Sequence, residues 1–378
     1  MKKKWILLTT TIITVFILTA CGVSNDYAVV VELVPAFEEE ALDEIIAEEI
    51  PNEDEELSAW HYSNFEIVRE PQHLDYDIPH GLIAVNHIEF INDNLYERGS
   101  FTVREKETAE WLVEELLAMG YAWDDIEVQE FYYDNVARWM WHGWDTETGR
   151  WILGDGELRD SSQNVILTVP GQSERTIIVG AHYDSLPYPG ASDNASGVAL
   201  LLESAQRMLH ENNYHTIVYV FFGAEEVGLI GSNVFLRSMT RQELGNLVMM
   251  VNADVLFEGP YLMYGAGYAL GDTQRVNDIS RQVDEIAFGV LEAHEVEIMP
   301  VPELLNAGSD HLPFKWAGHT VVVLFGMDMT DDGTAVGRVL HSERDDFHYI
   351  NQEWPGKIDR NMRYFSIFLE EILLSRYE

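Results

Sequence analysis

Two side chains that can ligate a metal ion flank a loop near the middle of the chain. Residues 177–203 begin as an apolar run, break at a loop rich in Pro, Gly and Ser, and resume as an amphipathic pattern near Asn194. His182 follows the apolar run at one end of the loop, and Asp193 lies at the other end. Asp184 could accept the second imidazole N–H of His182, as metal-binding histidines require. By itself such a pattern is more often an ordinary turn, so its meaning depends on the rest of the chain.

Three further positions with metal-binding chemistry occur later in the chain. One apolar run leads to the adjacent carboxylates Glu225 and Glu226, and the next leads to Asp254. His341 lies near the C-terminal end. Because neighbouring residues at the end of a strand point in different directions, one carboxylate of the Glu-Glu pair can ligate a metal while the other acts as a base.

These positions together predict a metal centre. Zinc accepts imidazole nitrogen and carboxylate oxygen, and a catalytic zinc keeps one position open for water. Five candidate ligands exceed what one tetrahedral catalytic zinc needs, but they suit two ions that share a bridging carboxylate. The candidates are His182, Asp193, Glu226, Asp254 and His341.

Alternating strands and helices are predicted to hold these residues. The patterns indicate strands at 177–181, 216–222, 247–252 and 320–325, and helices at 195–209, 229–239, 273–291 and 356–376, with an extended connection after 252. This alternation predicts an α/β fold with a mostly parallel, mixed central sheet and helices on both faces. Ligands of such sheets bind at the carboxyl ends of the strands.

The globular part is predicted to begin at about residue 80 and to extend to residue 378. Residues 132–160 contain several tryptophans around a turn and are interpreted as a long hairpin inserted into this domain. The tryptophans could form a platform for a sugar or a peptide, but packing against the sheet is favoured because aromatic residues are common in strands.

The charge of the chain is strongly negative. Its 378 residues include 65 Asp and Glu against 23 Lys and Arg, and 47% hydrophobic residues are enough for a substantial core. The acidic excess argues against a nucleic-acid partner and against binding to anionic lipid through a basic face. It favours cationic partners or metal ions.

The N-terminal residues have the pattern of an export signal. Three lysines at 2–4 precede an apolar run at 5–18, which predicts a signal peptide over residues 1–20. Residues 18–22 resemble the lipobox of bacterial lipoproteins, and Cys21 is the only cysteine. We therefore expect lipidation of Cys21 and an extracytoplasmic protein anchored to the membrane by lipid. Residues 21–79 are acidic and are predicted to form a largely disordered tether, with a docking segment as the alternative.

Several of these motifs together resemble a known enzyme family. Residues 180–185, 190–197 and 224–232, followed by 252–254, 309–311 and the His341 region, are similar in order and type to motifs of the co-catalytic di-zinc exopeptidases. Bacterial leucyl aminopeptidase and aminopeptidase Y typify this family. The resemblance extends from about residue 86 to the C-terminus. It implies a zinc-exopeptidase fold, peptide substrates and the release of N-terminal residues.

The resemblance also implies a role for each site residue. One zinc ion would be held by His182, Asp193 and Asp254. The other zinc ion would be held by Asp193, Glu226 and His341. Glu225 would be the general base for the attacking water, and Asp184 would orient His182.

The last histidine ligand has a competitor in the sequence. His341 stands in a His-Ser-Glu-Arg-Asp segment, whereas the family usually has His-Thr-x-x-Asp. His311, in a Ser-Asp-His segment, is the alternative, but this segment resembles a pocket lining in the family. His341 is therefore the favoured ligand, and His319 and His348 are interpreted as structural or surface residues.

Four other functions fit part of the pattern. Glutaminyl cyclase is a related acyltransferase that is similar in the His-Tyr-Asp-Ser and Glu-Glu segments but uses a single zinc ion. Residues 193–197 resemble the peptidases more closely. A carboxypeptidase or dipeptidase of the same family would carry the same motifs, and so would a catalytically silent binding module. The sequence does not indicate an oligomeric state.

Overall fold

The structure, a computed structural model, describes residues 78–132, 144–145, 150–151, 160–270, 273–331 and 334–377. The predicted signal peptide, Cys21 and almost all of the predicted tether at 21–79 lie outside the described residues. Of the hairpin predicted at 132–160, Trp144–Asp145 pairs antiparallel with Arg150–Trp151, and most of the rest also lies outside. Within the described part of the chain, no helix is both long and apolar enough to cross a membrane.

Runs of β-branched and aromatic residues form one large mixed sheet. The strands are β1 (Ile126–Tyr132), β2 (Trp144–Asp145), β3 (Arg150–Trp151), β4 (Ser161–Val169), β5 (Ser173–His182), β6 (His215–Phe222), β7 (Leu247–Ala253), β8 (Tyr261–Leu270), β9 (Thr273–Arg275), β10 (Ile298–Pro300), β11 (Val321–Met329) and β12 (Ala335–Val336). Ten of these strands form the large sheet, in the order β1-β4-β6-β5-β7-β11-β8-β10 with β9 paired to β8 and β12 paired to β11, while β2 and β3 form a separate two-stranded sheet. The four central strands β6, β5, β7 and β11 are parallel, while β1, β4 and β8 pair antiparallel with their neighbours toward the centre.

Helices cover both faces of this sheet. They are α1 (Leu82–Asn94), α2 (Val103–Met119), α3 (Ser196–Met208), α4 (Ile230–Ser238), α5 (Arg241–Asn246), α6 (Asp278–His294), α7 (His311–Trp316), α8 (Phe347–Glu353) and α9 (Lys357–Leu374). Because successive side chains of a strand point to opposite faces, Val179 of β5 packs into one hydrophobic cluster and Ile178 into another. The first cluster includes residues of α1, α2, α3, α6 and α9, and the second includes Phe235 of α4 and Phe314 of α7. The predicted α/β class, with a mixed sheet between helices, is confirmed.

Strands β8, β9, β10 and β12 were not predicted from the sequence, and β8 is the longest of them. The extended connection expected after residue 252 contains β8, which pairs antiparallel with β11. Gly265 and Gly267 weaken the strand signal of β8 because glycine has a low strand propensity. The helix expected at 273–291 begins instead at Asp278, since the Asn277 side chain accepts a hydrogen bond from the Ser280 N–H and caps the first turn.

Candidate metal centre

Three neighbouring parallel strands bring metal-binding residues to one edge of the sheet. His182 is the last residue of β5, the Glu225–Glu226 pair lies just beyond β6, and Asp254 follows β7 directly. The strands stay in register, with His182 opposite Phe222 and Gly180 opposite Asn252. The carboxyl ends of parallel strands meet at the same edge of a sheet, so these side chains converge there.

The loop after β5 returns Asp193 to the same edge. Asn194 fastens this loop, because its Nδ2 donates to the Ala253 carbonyl at 3.0 Å and its Oδ1 accepts the Gly197 N–H at 2.8 Å. A Cβ on Gly197 would lie 2.3 Å from the Ala253 oxygen, so only glycine permits this close approach of α3 to the end of β7. The peptide bond between Asp193 and Asn194 is cis.

His341 reaches the site from the segment between β12 and α8. Asp345, at the end of this segment, accepts the Ser192 N–H at 2.6 Å and the Asp193 N–H at 2.9 Å. His341 itself has a φ of 54°, in the left-handed region that residues other than glycine rarely adopt. The His341 segment and the Asp193 loop, almost 150 residues apart in the chain, are therefore held side by side.

The carboxylate of Asp193 lies between the two histidines. Its Oδ1 is 3.1 Å from His182 Nε2, and its Oδ2 is 3.0 Å from His341 Nε2. Asp254 Oδ1 lies 3.4 Å from His182 Nε2, and Glu226 Oε2 lies 3.8 Å from His341 Nε2. Asp193 thus presents one oxygen to each half of the cluster.

The described residues near this edge form two groups that could each hold a metal ion. The first group contains His182, Glu225 and Asp254. The second group contains Asp193, Glu226 and His341. Within each group the potential ligand atoms lie within 4.8 Å of one another. The two glutamates are thus divided between the groups, as expected for neighbouring residues beyond the end of a strand.

The geometry and the polar groups of the cluster fit zinc. Ligand atoms at 2.0–2.1 Å from a tetrahedral ion lie roughly 3.3 Å from one another, close to the nitrogen–oxygen separations of 3.0–3.8 Å found here. Asp254 Oδ1 is buried and has no hydrogen-bond donor. Imidazole nitrogens together with carboxylate oxygens are the usual zinc ligands outside cysteine sites.

The cluster concentrates negative charge in a buried place. Burial raises the pKa of Glu226 to about 8, and the Asp193 charge adds to this shift. Burial also raises the pKa of Glu225 well above its usual range, while the nearby His182 opposes the shift. Asp193 differs, because its hydrogen bonds to His182 and His341 outweigh burial and lower its pKa. Bound cations would relieve the repulsion that these groups share.

Asp184 has a wider structural role than the sequence predicted. The closest partner of His182 Nδ1 is the backbone carbonyl of Asp184, at 3.1 Å, and the Asp184 Oδ1 lies at 3.5 Å. The Asp184 carboxylate accepts the N–H groups of Glu225 and Glu226 at 3.0 and 3.2 Å and the Ser100 hydroxyl at 2.6 Å. Asp184 therefore links the end of β5 to the backbone that carries both glutamates.

The Ser-Asp-His segment supports the cluster without bringing its histidine there. Ser309 Oγ donates to Asp254 Oδ2 at 2.6 Å, which orients this carboxylate. His311 is buried, its Nε2 faces the Leu305 carbonyl at 3.3 Å, and burial lowers its pKa to about 3. The structure thus groups His341, and not His311, with the acids. His348 lies on the surface beside Asp93.

Two buried glutamates near the site were not predicted from the sequence. Glu105 Oε1 accepts the Ala224 N–H at 2.9 Å and so supports the backbone just before Glu225. Glu258 Oε2 accepts the N–H groups of Val339 and Leu340, which precede His341. The Thr102-x-x-Glu105 spacing is a helix-capping signal, but it does not reveal the contact with Ala224.

Comparison with known proteins identifies the family. The model of peptidase family M28 matches residues 164–366, which are more than half of the chain. The chain belongs to peptidase family M28. This confirms the family that the sequence motifs indicated.

Individual relatives match this chain over shorter stretches or with lower sequence identity. Aminopeptidase YwaD of Bacillus subtilis is 30% identical over 180 residues, which are 47% of this chain and 37% of that protein. The probable lipoprotein aminopeptidase LpqL of Mycobacterium tuberculosis is 40% identical over 98 residues, 25% of this chain and 20% of that protein. The chain therefore spans well under half the length of these relatives. BSAP, a zinc aminopeptidase from Bacillus subtilis, shares the fold with a TM-score of 0.61 and 17% identity, over 78% of this chain and 95% of that chain.

Proposed function

We propose that this M28 peptidase is a zinc-dependent aminopeptidase that releases N-terminal residues from peptides. The arrangement around Asp193 supports this function most directly, because one carboxylate faces two histidines at 3.0 and 3.1 Å. Such an arrangement suits two ions that share one ligand. The names of the relatives point the same way, since YwaD is named an aminopeptidase and LpqL a probable lipoprotein aminopeptidase.

We assign three ligands to each ion, with Asp193 common to both. The first zinc would be bound by His182, Asp193 and Asp254. The second zinc would be bound by Asp193, Glu226 and His341. The separations between these ligand atoms support the assignment. When bound, the zinc ions would polarise the scissile carbonyl and lower the pKa of the attacking water.

Glu225 is assigned as the general base. Its carboxylate lies close to His182 and Asp254 and could itself bind the first ion. That ion already has three assigned ligands in His182, Asp193 and Asp254, so Glu225 remains free to act as a base. The backbone holds the side chain in place, because Ala224 has a φ of 54° and the Glu225 N–H is bound by Asp184. In hydrolysis, Glu225 takes a proton from the attacking water and passes it to the leaving amine as the C–N bond breaks.

The free amino end of a substrate would be recognised by charge. A peptide α-ammonium is a cation, and the site is lined by carboxylates that include the half-buried Glu225 and the buried Asp254. Blocking the amino group removes this charge. An aminopeptidase with this site should therefore reject N-blocked peptides.

A peptide panel tests the proposed function. We expect free peptides to lose their N-terminal residue, N-blocked peptides to remain intact, and a chelator to abolish cleavage, which added zinc restores. Release of C-terminal residues from N-blocked peptides would instead show a carboxypeptidase, and cleavage of dipeptides alone would show a dipeptidase. Conversion of N-terminal glutamine to pyroglutamate, with one zinc per chain, would show a glutaminyl cyclase.

We further propose that the protein is exported and anchored by a lipid on Cys21. The lipobox-like residues 18–22 support this proposal, and the relative LpqL is named a probable lipoprotein. Mass spectrometry of the N-terminal peptide from the membrane fraction tests it. We expect a diacylglyceryl mass on Cys21 and release of the Cys21→Ser variant from the membrane; an unmodified Cys21 would refute the proposal.

A further inference from the structure

Arg98 is a buried arginine that lies against the loop between His182 and Asp193. Its side chain is almost fully buried, and the residue is only 1% exposed. The guanidinium donates from Nε to the Tyr183 carbonyl at 2.8 Å, from Nη1 to Pro189 at 2.9 Å and from Nη2 to Gly190 at 3.0 Å. A fourth bond joins Nη1 to the Leu95 carbonyl at 3.1 Å. All four of these acceptors are backbone carbonyls.

These contacts bind both ends of the loop to one rigid group. Tyr183 directly follows His182, and Gly190 stands three residues before Asp193. Since the guanidinium is planar and its donors have a set geometry, it holds the two ends at a defined separation. The Arg98 backbone adds two bonds to the same loop: its N–H donates to Ser185 Oγ at 3.2 Å, and its carbonyl accepts the Ser185 N–H at 3.1 Å.

The charge of Arg98 also bears on the metal centre. Burial lowers the pKa of Arg98 to about 10, and the charges of Asp345, Asp184, Asp193 and Glu226 oppose this shift. At neutral pH the guanidinium is thus a buried cation whose electrostatic neighbours are carboxylates of the site. A cation in this position lowers the repulsion between carboxylates that must come together to bind metal.

We propose that Arg98 is a positioning residue for the metal centre. It holds the spacing between His182 and Asp193 through the loop backbone, and its charge stabilises the assembled carboxylates. The proposal rests on the proposed function only in taking these residues as zinc ligands. It does not require that the protein cleave a particular substrate.

Zinc affinity is the measurement that tests this role. The full chain is stripped of metal and titrated with zinc in competition with a chromogenic chelator. Arg98→Lys keeps the positive charge but loses the planar set of guanidinium donors. We expect it to raise the zinc dissociation constants about tenfold. Arg98→Met loses both the charge and the donors, and it should raise the zinc dissociation constants about a hundredfold. Hydrogen exchange at the Ser185 amide should become faster in both variants.

Arg207→Lys provides the matched control. Arg207 is also a largely buried arginine, and its Nε bonds to the buried Glu203 at 3.0 Å, outside the loop that holds the ligands. This substitution should lower the thermal unfolding temperature and leave the zinc dissociation constants unchanged. If it raises them as much as Arg98→Lys at a similar loss of stability, the Arg98 effect is general destabilisation and the proposal is wrong.

A milder variant covers the case in which Arg98→Met does not fold. Ser185→Ala removes the hydroxyl that accepts the Arg98 N–H, and it should raise the zinc dissociation constants about threefold. Wild-type zinc constants and wild-type exchange in Arg98→Lys and Ser185→Ala would overturn the proposal. A wild-type protein that binds zinc but cleaves no peptide would refute the proposed function and leave the role of Arg98 to be judged from zinc affinity alone.

Discussion

Replacement of Asp193 by alanine should weaken both metal sites at once. Among the described residues, only Asp193 has a carboxylate whose two oxygens face different histidines, at 3.1 and 3.0 Å. A four-ligand structural zinc site binds with about 10–16 kcal/mol, which is about 2.5–4 kcal/mol for each ligand. Loss of one ligand from each site should therefore raise each zinc dissociation constant about 10²- to 10³-fold.

Asp254→Ala is the matched comparison for Asp193→Ala. It also removes one buried carboxylate and one negative charge, but Asp254 lies close to His182 and is assigned to one ion only. We expect metal analysis after dialysis to find close to two zinc ions in the wild type, about one in Asp254→Ala and almost none in Asp193→Ala. Circular dichroism of the metal-free proteins controls for folding.

Two results would refute the bridging role of Asp193. One is retention of two zinc ions by Asp193→Ala with dissociation constants within tenfold of the wild type. The other is the loss of a single ion, equal to the effect of Asp254→Ala. Either result would show that the two oxygens of Asp193 do not serve separate ions.

Three other predictions concern different parts of the molecule. Glu225→Gln should lower kcat about 10²- to 10⁴-fold while zinc content stays unchanged; unaltered kcat would exclude Glu225 as the base. Glu203→Ala leaves the N–H groups of Gly81 and Ala84 without their carboxylate acceptor. Urea denaturation should therefore show that the free energy of unfolding falls by about 3 kcal/mol or more. A decrease below about 1 kcal/mol would contradict this. The hydrogen bond to Asp93 raises the pKa of His348 in the folded protein. The pair therefore stabilises the fold fully at pH values below about 6.5, the pKa of histidine in the unfolded chain. This stabilisation is lost as the pH rises through the pKa of His348 in the folded protein. Because both groups are exposed, the stability lost in His348→Gln should be at most about 0.5 kcal/mol, larger at pH 5.5 than at pH 8.5; equal losses at both pH values would refute the pairing.

The fold class followed from the sequence because hydrophobic periodicity is a local property. The strand that ends at His182 and the strand that ends at Phe222 each have an apolar run bounded by turn residues. The strand Tyr261–Leu270 was missed since its glycines weaken that local pattern. This strand is held by its antiparallel pairing with Val321–Met329, a contact that no local signal reports.

The candidate ligands could be named from the sequence because their residue types and their places at strand ends are visible in it. The hydrogen bonds that hold these residues in place could not be predicted from the sequence. Glu105 supports Ala224 across 119 residues, and Asp345 binds the Asp193 backbone across 152 residues. Such contacts depend on how the strands are ordered in the sheet, which the order of the motifs along the chain does not reveal.

Residue chemistry and local pattern alone thus determined the α/β class and the residues able to bind zinc. The family resemblance favoured His341 over His311, but only the tertiary structure placed His341 with the acids, through the Asp345 contact and the orientation of the buried His311 ring. It also placed the Arg98 guanidinium under the loop between two ligands. The physical reason is the same in each case: a side chain acts through the groups that surround it in space, and residues distant in the chain supply most of those groups.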